Sequence, residues 1–307
     1  MKGPLFYAKI LLFGEYGIIK DSKGLSIPYN FYRGALKTSE NPITQDSHLK
    51  LVAFCSYLKK LPESVVSFDW KRLNEDLDNK MYFDSSIPQG YGIGSSGALV
   101  ASIYDKYALD KITVLENLTK EKLQHLKIIF AAMESFFHGK SSGLDPLNSY
   151  LSLPILINSQ DHIEPTGIPS QNPDGKGAVF LLDSGITGET APMVQIFMEN
   201  MKQEGFRKMI KNQFVKHTDA CVSDFLQGNV TSLFGNVKEL SKVVFENFKP
   251  MIPKEFHKLW KKGIETNTYY LKLCGSGGGG YMLGFTEDIV KAKQALKDYK
   301  LEIVYSL

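Results

Sequence analysis

Residues Pro88 to Gly97 set three glycines at alternate positions, Gly90, Gly92 and Gly94, directly before paired serines, Ser95 and Ser96, and an apolar helical run. Glycines there allow a backbone approach that a Cβ would hinder, and the serine hydroxyls are expected to cap the helix. The first N–H groups of a helix attract an anion, so this is chemistry for holding phosphate. The plainer reading is a glycine loop that only joins two elements. Two carboxylates stand farther along: Glu134 near the end of a second helical run and Asp145 in the turn after it. Taken alone they also fit a solvent-facing helix residue and a loop cap. Lys9 lies within an apolar strand, where an ammonium is costly without a partner, so it pairs with a carboxylate or snorkels to the strand edge. A phosphate cradle, a cation and two acids suit phosphoryl transfer, which asks a protein to place the nucleophile, neutralise the triphosphate and bind a metal.

The commonest nucleotide signatures do not apply. A P-loop needs Gly-Lys-Ser/Thr, and no lysine follows Gly94; a dinucleotide fingerprint needs another glycine spacing and an acid about twenty residues on.

The elements that must position these residues follow from periodicity. Leu5 to Phe13 reads as a strand, and Gly24 to Ala35, with Leu25, Ile27, Tyr29 and Phe31 alternating, as another. Val100, Ile103, Tyr104 and Tyr107 have helical spacing after the glycine loop; Leu123, Leu126, Phe130, Met133 and Phe137 predict a second helix stopping near His138 and Gly139. Ser141 to Pro146 reads as turn. A strand is predicted over Ala178 to Asp183, after a polar stretch at Ser170 to Lys176 that suggests a domain boundary. Near the end come strand, glycine loop and strand around residues 271 to 285, a helix from Thr286 to Lys297 and a strand from Leu301 to Tyr305. The expected organisation is α+β in two domains, residues 1–170 and 171–307.

Composition excludes other classes. A net charge of +3 is too small to imply nucleic acid. Cys55, Cys221 and Cys274 have no metal-ligand spacing and suit a reducing cytoplasm. The apolar N-terminal run, interrupted by Lys9 and Glu15, is too short for a membrane span and lacks a signal-peptide cleavage pattern.

Three ordered segments carry a resemblance to a known family. Pro88 to Gly97 closely resembles the second signature of the GHMP kinases; Lys9 to Gly17, ending in Gly14, Glu15 and Tyr16, looks like the first; Lys272 to Leu283, with Gly275 and Gly277 to Gly280, resembles the third. Glu134 followed by His138-Gly139 and by Ser142-Gly143-Leu144-Asp145 is similar to the mevalonate kinase segment, and Phe180 to Thr187 looks like another segment of those enzymes. The resemblance implies a ribosomal-protein-S5-like N-terminal domain that binds nucleotide and a ferredoxin-like C-terminal domain that completes the cleft. It also implies ATP held by Gly90, Gly92, Gly94, Ser95, Ser96 and Gly97, and Mg²⁺ held by Ser96 and Glu134. Asp145 would be the base and Lys9 its partner, stabilising the incoming alkoxide. Glu15, Tyr16, Gly275 and Gly277 would line the substrate side, although Glu15 also fits a turn cap, Tyr16 a core aromatic, and the two glycines a close backbone approach beneath the phosphates. The implied activity is ATP-dependent phosphorylation of a small-molecule alcohol, first of all mevalonate, by a cytoplasmic enzyme for which a homodimer is admissible. Phosphomevalonate or another metabolite or sugar is the alternative acceptor; a non-catalytic nucleotide sensor and an ATP-using decarboxylase are rivals.

Overall fold

The structure, a computed structural model, describes residues 4–113, 118–159 and 162–307. In chain order its elements are β1 (Phe6–Phe13), β2 (Gly24–Thr38), α1 (Gln45–Leu58), α2 (Trp70–Asp78), β3 (Met81–Ser85), α3 (Ser95–Tyr107), α4 (Lys120–His138), α5 (Leu144–Leu151), β4 (Ile155–Ser159) and β5 (His162–Pro165). Then follow β6 (Ala178–Asp183), α6 (Thr190–Asn200), α7 (Glu204–Met209), α8 (Val215–Gln227), α9 (Val230–Asn247), α10 (His257–Thr266), β7 (Tyr270–Leu273), β8 (Tyr281–Thr286), α11 (Ile289–Ala295) and β9 (Leu301–Ser306). Among the described residues these form two sheets, one in the order β1-β2-β4-β5 with β3 added to β2, the other in the order β7-β8-β6-β9. The α+β expectation holds.

Backbone packing divides the chain into two compact units. The first comprises residues 1–9, 27–89 and 93–153. In it the far half of β2 pairs antiparallel with β3, from Gly34 opposite Ser85 to Thr38 opposite Met81. Its helical core is aromatic: Tyr104 of α3 meets Phe130 of α4 and Tyr150 of α5 edge-on, at 5.0 and 5.2 Å between ring centres. The apolar stripes predicted for α3 and α4 are buried at Val100, Ile103, Tyr104, Tyr107, Leu123, Leu126, Phe130 and Met133.

The second unit comprises residues 10–26, 90–92 and 154–307. Its antiparallel sheet buries all of Ala178 to Leu182 and Tyr281 to Thr286, which is why those strands read as continuous apolar runs rather than alternations.

Two boundaries depart from expectation. The segment expected as turn at 141–146 enters a helix at Leu144, because Gly143 takes the left-handed conformation of an N-cap at φ 73° and Pro146 falls in the first turn, where its missing N–H costs nothing. The helix expected from Thr286 starts three residues later: Asp288 caps it by accepting from the N–H groups of Val290 and Lys291, and Thr286 stays in β8.

Candidate active site

The first unit gathers Lys9, Ser96, Glu134 and Asp145. The backbone N–H of Lys9 in β1 donates to Ile93 O at 3.0 Å, and its stem runs past Gly94, where an added Cβ would lie 3.0 Å from Lys9 Cγ. Its Nζ reaches Asp145 Oδ1 at 3.0 Å; the lysine side chain is 4% exposed and the aspartate 38%. The alternative of a snorkelling lysine is thereby excluded. Ser149 Oγ of α5 donates to Tyr7 O of β1 at 2.7 Å and keeps the two elements in register.

Gly97 sets how near Asp145 comes to the start of α3. A Cβ there would lie 2.7 Å from both Asp145 C and Pro146 N, so its absence lets the two helices touch backbone to backbone.

The expected capping by Ser95 and Ser96 is not what occurs. Gly94, at φ 81°, is the N-cap of α3 and no side chain caps that helix. Both serines therefore lie inside the first turn. Ser95 Oγ reaches Ile87 O at 3.5 Å, and Ser96 Oγ donates to Glu134 Oε1 at 2.9 Å. The N-terminal N–H groups of the helix are left for an acceptor from outside.

Glu134 is buried, 3% exposed, with Ser141 Oγ donating to its other oxygen and His138 Nε2 set 3.1 Å from Ser96 Oγ. Burial first, and the Asp145 carboxylate second, push the Glu134 carboxyl up to about 7, against the serine hydrogen bonds and Lys9. Desolvation holds the His138 imidazole below its ordinary value. The sign of the resulting stability effect follows from linkage. An acid raised in the folded state stabilises the fold while pH is below its unfolded value, and that contribution is lost as pH climbs from about 4.5 to about 7. Without divalent cation, the protein should therefore lose about 1–3 kcal/mol between pH 5 and 7, on ~1.4 kcal/mol per pH unit, and Glu134→Gln should flatten that slope. Thermal melts of both proteins across this range check it; parallel slopes would refute the assignment.

Residues expected from the other motifs lie in the second unit. Gly90 and Gly92 have φ of 77°. A Cβ on Gly92 would stand 2.3 Å from Cys274 O, so the residue lies directly on the backbone of the third glycine segment. Gly275 faces Gly92, with the place of its Cβ 3.3 Å from Gly92 Cα, and Gly277 faces Met251 O. Both have the close backbone approach expected of them. Cys274 is buried beside them and forms no disulfide.

Glu15 takes Lys272, its Oε1 accepting from Nζ at 2.5 Å with both side chains under a tenth exposed. Tyr16 stacks on Phe197 at 4.6 Å and donates its hydroxyl to Ser276 O at 2.7 Å, so its core-aromatic reading is realised. Burial raises its phenol. Lys272, Ser141 and His138 join these residues although no local pattern sets them apart, each lying within a segment whose glycines or acids carry the recognisable motif.

Among the described residues no group of three or more His, Cys, Asp or Glu could hold a metal unaided. Ser96 Oγ and the Glu134 carboxylate are hard oxygen donors 2.9 Å apart, and Asp145 of the same unit pairs with Lys9. That donor set fits Mg²⁺, which takes one or two protein oxygens and completes its shell with waters and phosphates. No helix among the described residues is long and apolar enough to cross a membrane.

Residues 58–152 match the family model of the GHMP kinases N terminal domain. The chain has no significant match among curated proteins. Over its full length its fold is similar to that of solved structures. These include L. major mevalonate kinase in complex with R-mevalonate (TM-score 0.64, 16% identity, 100% of both chains) and Streptococcus pneumoniae phosphomevalonate kinase in complex with phosphomevalonate and AMPPNP (0.64, 13%, 98% of both). Lactococcus lactis galactokinase complexed with galactose is similar as well (0.63, 12%, 98% of this chain and 92% of that one).

Proposed function

We propose that this chain, which has the fold of the GHMP kinases throughout and that family's N-terminal domain at residues 58–152, is an ATP-dependent kinase transferring the γ-phosphate to the alcohol of a small molecule, mevalonate first of all. The observation that carries the reading is the Lys9–Asp145 pair at 3.0 Å, held beside the Ser96–Glu134 contact at the start of α3.

Each residue then has a task. Asp145, partly exposed, receives the proton of the substrate hydroxyl as its oxygen attacks the γ-phosphorus and ADP leaves. Lys9, buried beside Asp145, compensates charge there and at the developing alkoxide. The start of α3 offers N–H groups to the phosphates, and Ser96 with Glu134 would hold Mg²⁺. That ion would draw charge off the phosphate oxygens in a loose transition state. Ser95, Gly90, Gly92, Gly94 and Gly97 we place with the nucleotide, and Glu15, Tyr16, Gly275 and Gly277 on the substrate side, Glu15 through its ion pair with Lys272 and Tyr16 through its stacking on Phe197. The scarcity of arginine favours an unphosphorylated acceptor, since bidentate guanidinium is the common device for a phosphate monoester. The Ser142-Gly143-Leu144-Asp145 resemblance points the same way. A cytoplasmic site of action accords with the three free thiols.

The test is ADP release with ATP and Mg²⁺ over mevalonate, phosphomevalonate, homoserine and galactose. Mevalonate should exceed the others by about tenfold or more in kcat/KM, a difference of ~1.4 kcal/mol in transition-state binding. A preference for phosphomevalonate would replace the acceptor; no release with any alcohol would leave a nucleotide-binding protein and end the kinase reading.

A further inference from the structure

The buried carboxylate of Glu134 is held at both oxygens by serines, and only one of them belongs to the start of α3. Ser96 Oγ donates to Oε1 at 2.9 Å; Ser141 Oγ, on the connection between α4 and α5, donates to Oε2 at 2.5 Å. A hydroxyl has one proton to give. The N–H of Gly143 donates to Ser141 Oγ at 3.0 Å, which occupies a lone pair and directs the remaining proton to Glu134. Gly143 is itself fixed, since at φ 73° the place of its Cβ lies 2.2 Å from Lys127 O. On the other side, with Glu134 ionised as metal binding requires, Ser96 spends its proton on Oε1, and the His138 tautomer carrying its proton on Nε2, 3.1 Å away, donates to Ser96 Oγ. Two donor chains thus converge on one carboxylate, and each link polarises the next.

We propose that Ser141 is a positioning residue for the metal-binding carboxylate: by holding Oε2 it fixes the plane of Glu134 and keeps Oε1 turned to Ser96, where a divalent cation with its phosphates would sit. This rests on the metal role assigned above to Ser96 and Glu134. Without Ser141 the carboxylate can rotate away, and a buried oxygen loses its donor. Partners that orient a metal ligand from behind typically change metal affinity about 10–100-fold.

The test is direct binding rather than turnover. Full-length protein is titrated with Mn²⁺ in the presence of AMPPNP, and free Mn²⁺ is read from its electron paramagnetic resonance signal. The wild type should bind Mn²⁺ more tightly than AMPPNP alone does. Ser141→Ala should weaken this binding about tenfold or more, and Ser141→Thr, which keeps the hydroxyl, should stay within about threefold of wild type. Ser141→Cys, close in size but a weak donor, should follow Ser141→Ala and supplies the comparison if the alanine variant melts early. Wild-type affinity in the alanine or cysteine variant, or equal loss in the threonine variant, overturns the role of Ser141. If wild type itself adds nothing to the binding by AMPPNP, the metal role of Ser96 and Glu134 falls first.

Discussion

Asp145→Asn is expected to lower turnover by about 10²–10⁴-fold while the protein stays folded. Asparagine keeps the size of the side chain and leaves an oxygen within reach of Lys9 Nζ, which lies 3.0 Å from Asp145 Oδ1, but it cannot accept the proton of the acceptor alcohol. Lys9 would lose the negative charge of Asp145. Because the Asp145 side chain is 38% exposed, water can replace part of that interaction, so the cost falls mainly on chemistry. The comparison is kcat and KM from a coupled ADP assay, with a melting curve alongside. A loss confined to kcat marks an interaction made only in the transition state. Turnover within about threefold of wild type would remove Asp145 from the reaction.

Lys272→Met tests the other buried pair and reads out in stability. Lys272 Nζ is held by Glu15 and by Leu273 O at 2.9 Å, and neither charged side chain is more than 6% exposed. Taking the cation away breaks a buried ion pair, a change that typically costs about 3–5 kcal/mol. Urea unfolding should report that loss. The double variant Glu15→Gln with Lys272→Met should regain much of it, because both charges of the buried pair are then removed together. Equal midpoints for the single variant and wild type would show that Glu15 finds another partner at no cost.

The two pairs also mark how far the sequence could be read. Lys9 sits in an apolar run, and burial of an ammonium demands an acid; with the motif resemblance naming Asp145, that contact was legible before any fold was known. The strands and the long amphipathic α4 were legible for the same kind of reason, since periodicity reports which face must leave water. Glu15 was not. Its sequence context fits a substrate or turn residue, because its partner, Lys272, stands 257 positions away inside a motif marked by its glycines. Nothing local to either residue names the other.

The same division explains the smaller departures. Ser95 and Ser96 carry capping side chains, yet Gly94 enters the left-handed region one residue earlier and takes the cap position. The freed Ser96 hydroxyl then turns to Glu134 on another helix. The composition around Asp145 suggests a turn, whereas Gly143 caps a helix there and Gly97 admits that helix against α3.

By itself the order of residues determined the periodic elements, the anion-seeking start of α3 and the need of Lys9 for an acid, because each is a matter of near neighbours or of one group's solvation. Which hydroxyl faces which carboxylate, and which acid serves Lys272, was decided only in three dimensions. A hydrogen bond depends on distances of about 3 Å between side chains that the chain brings together from far apart, and packing of whole elements sets those distances.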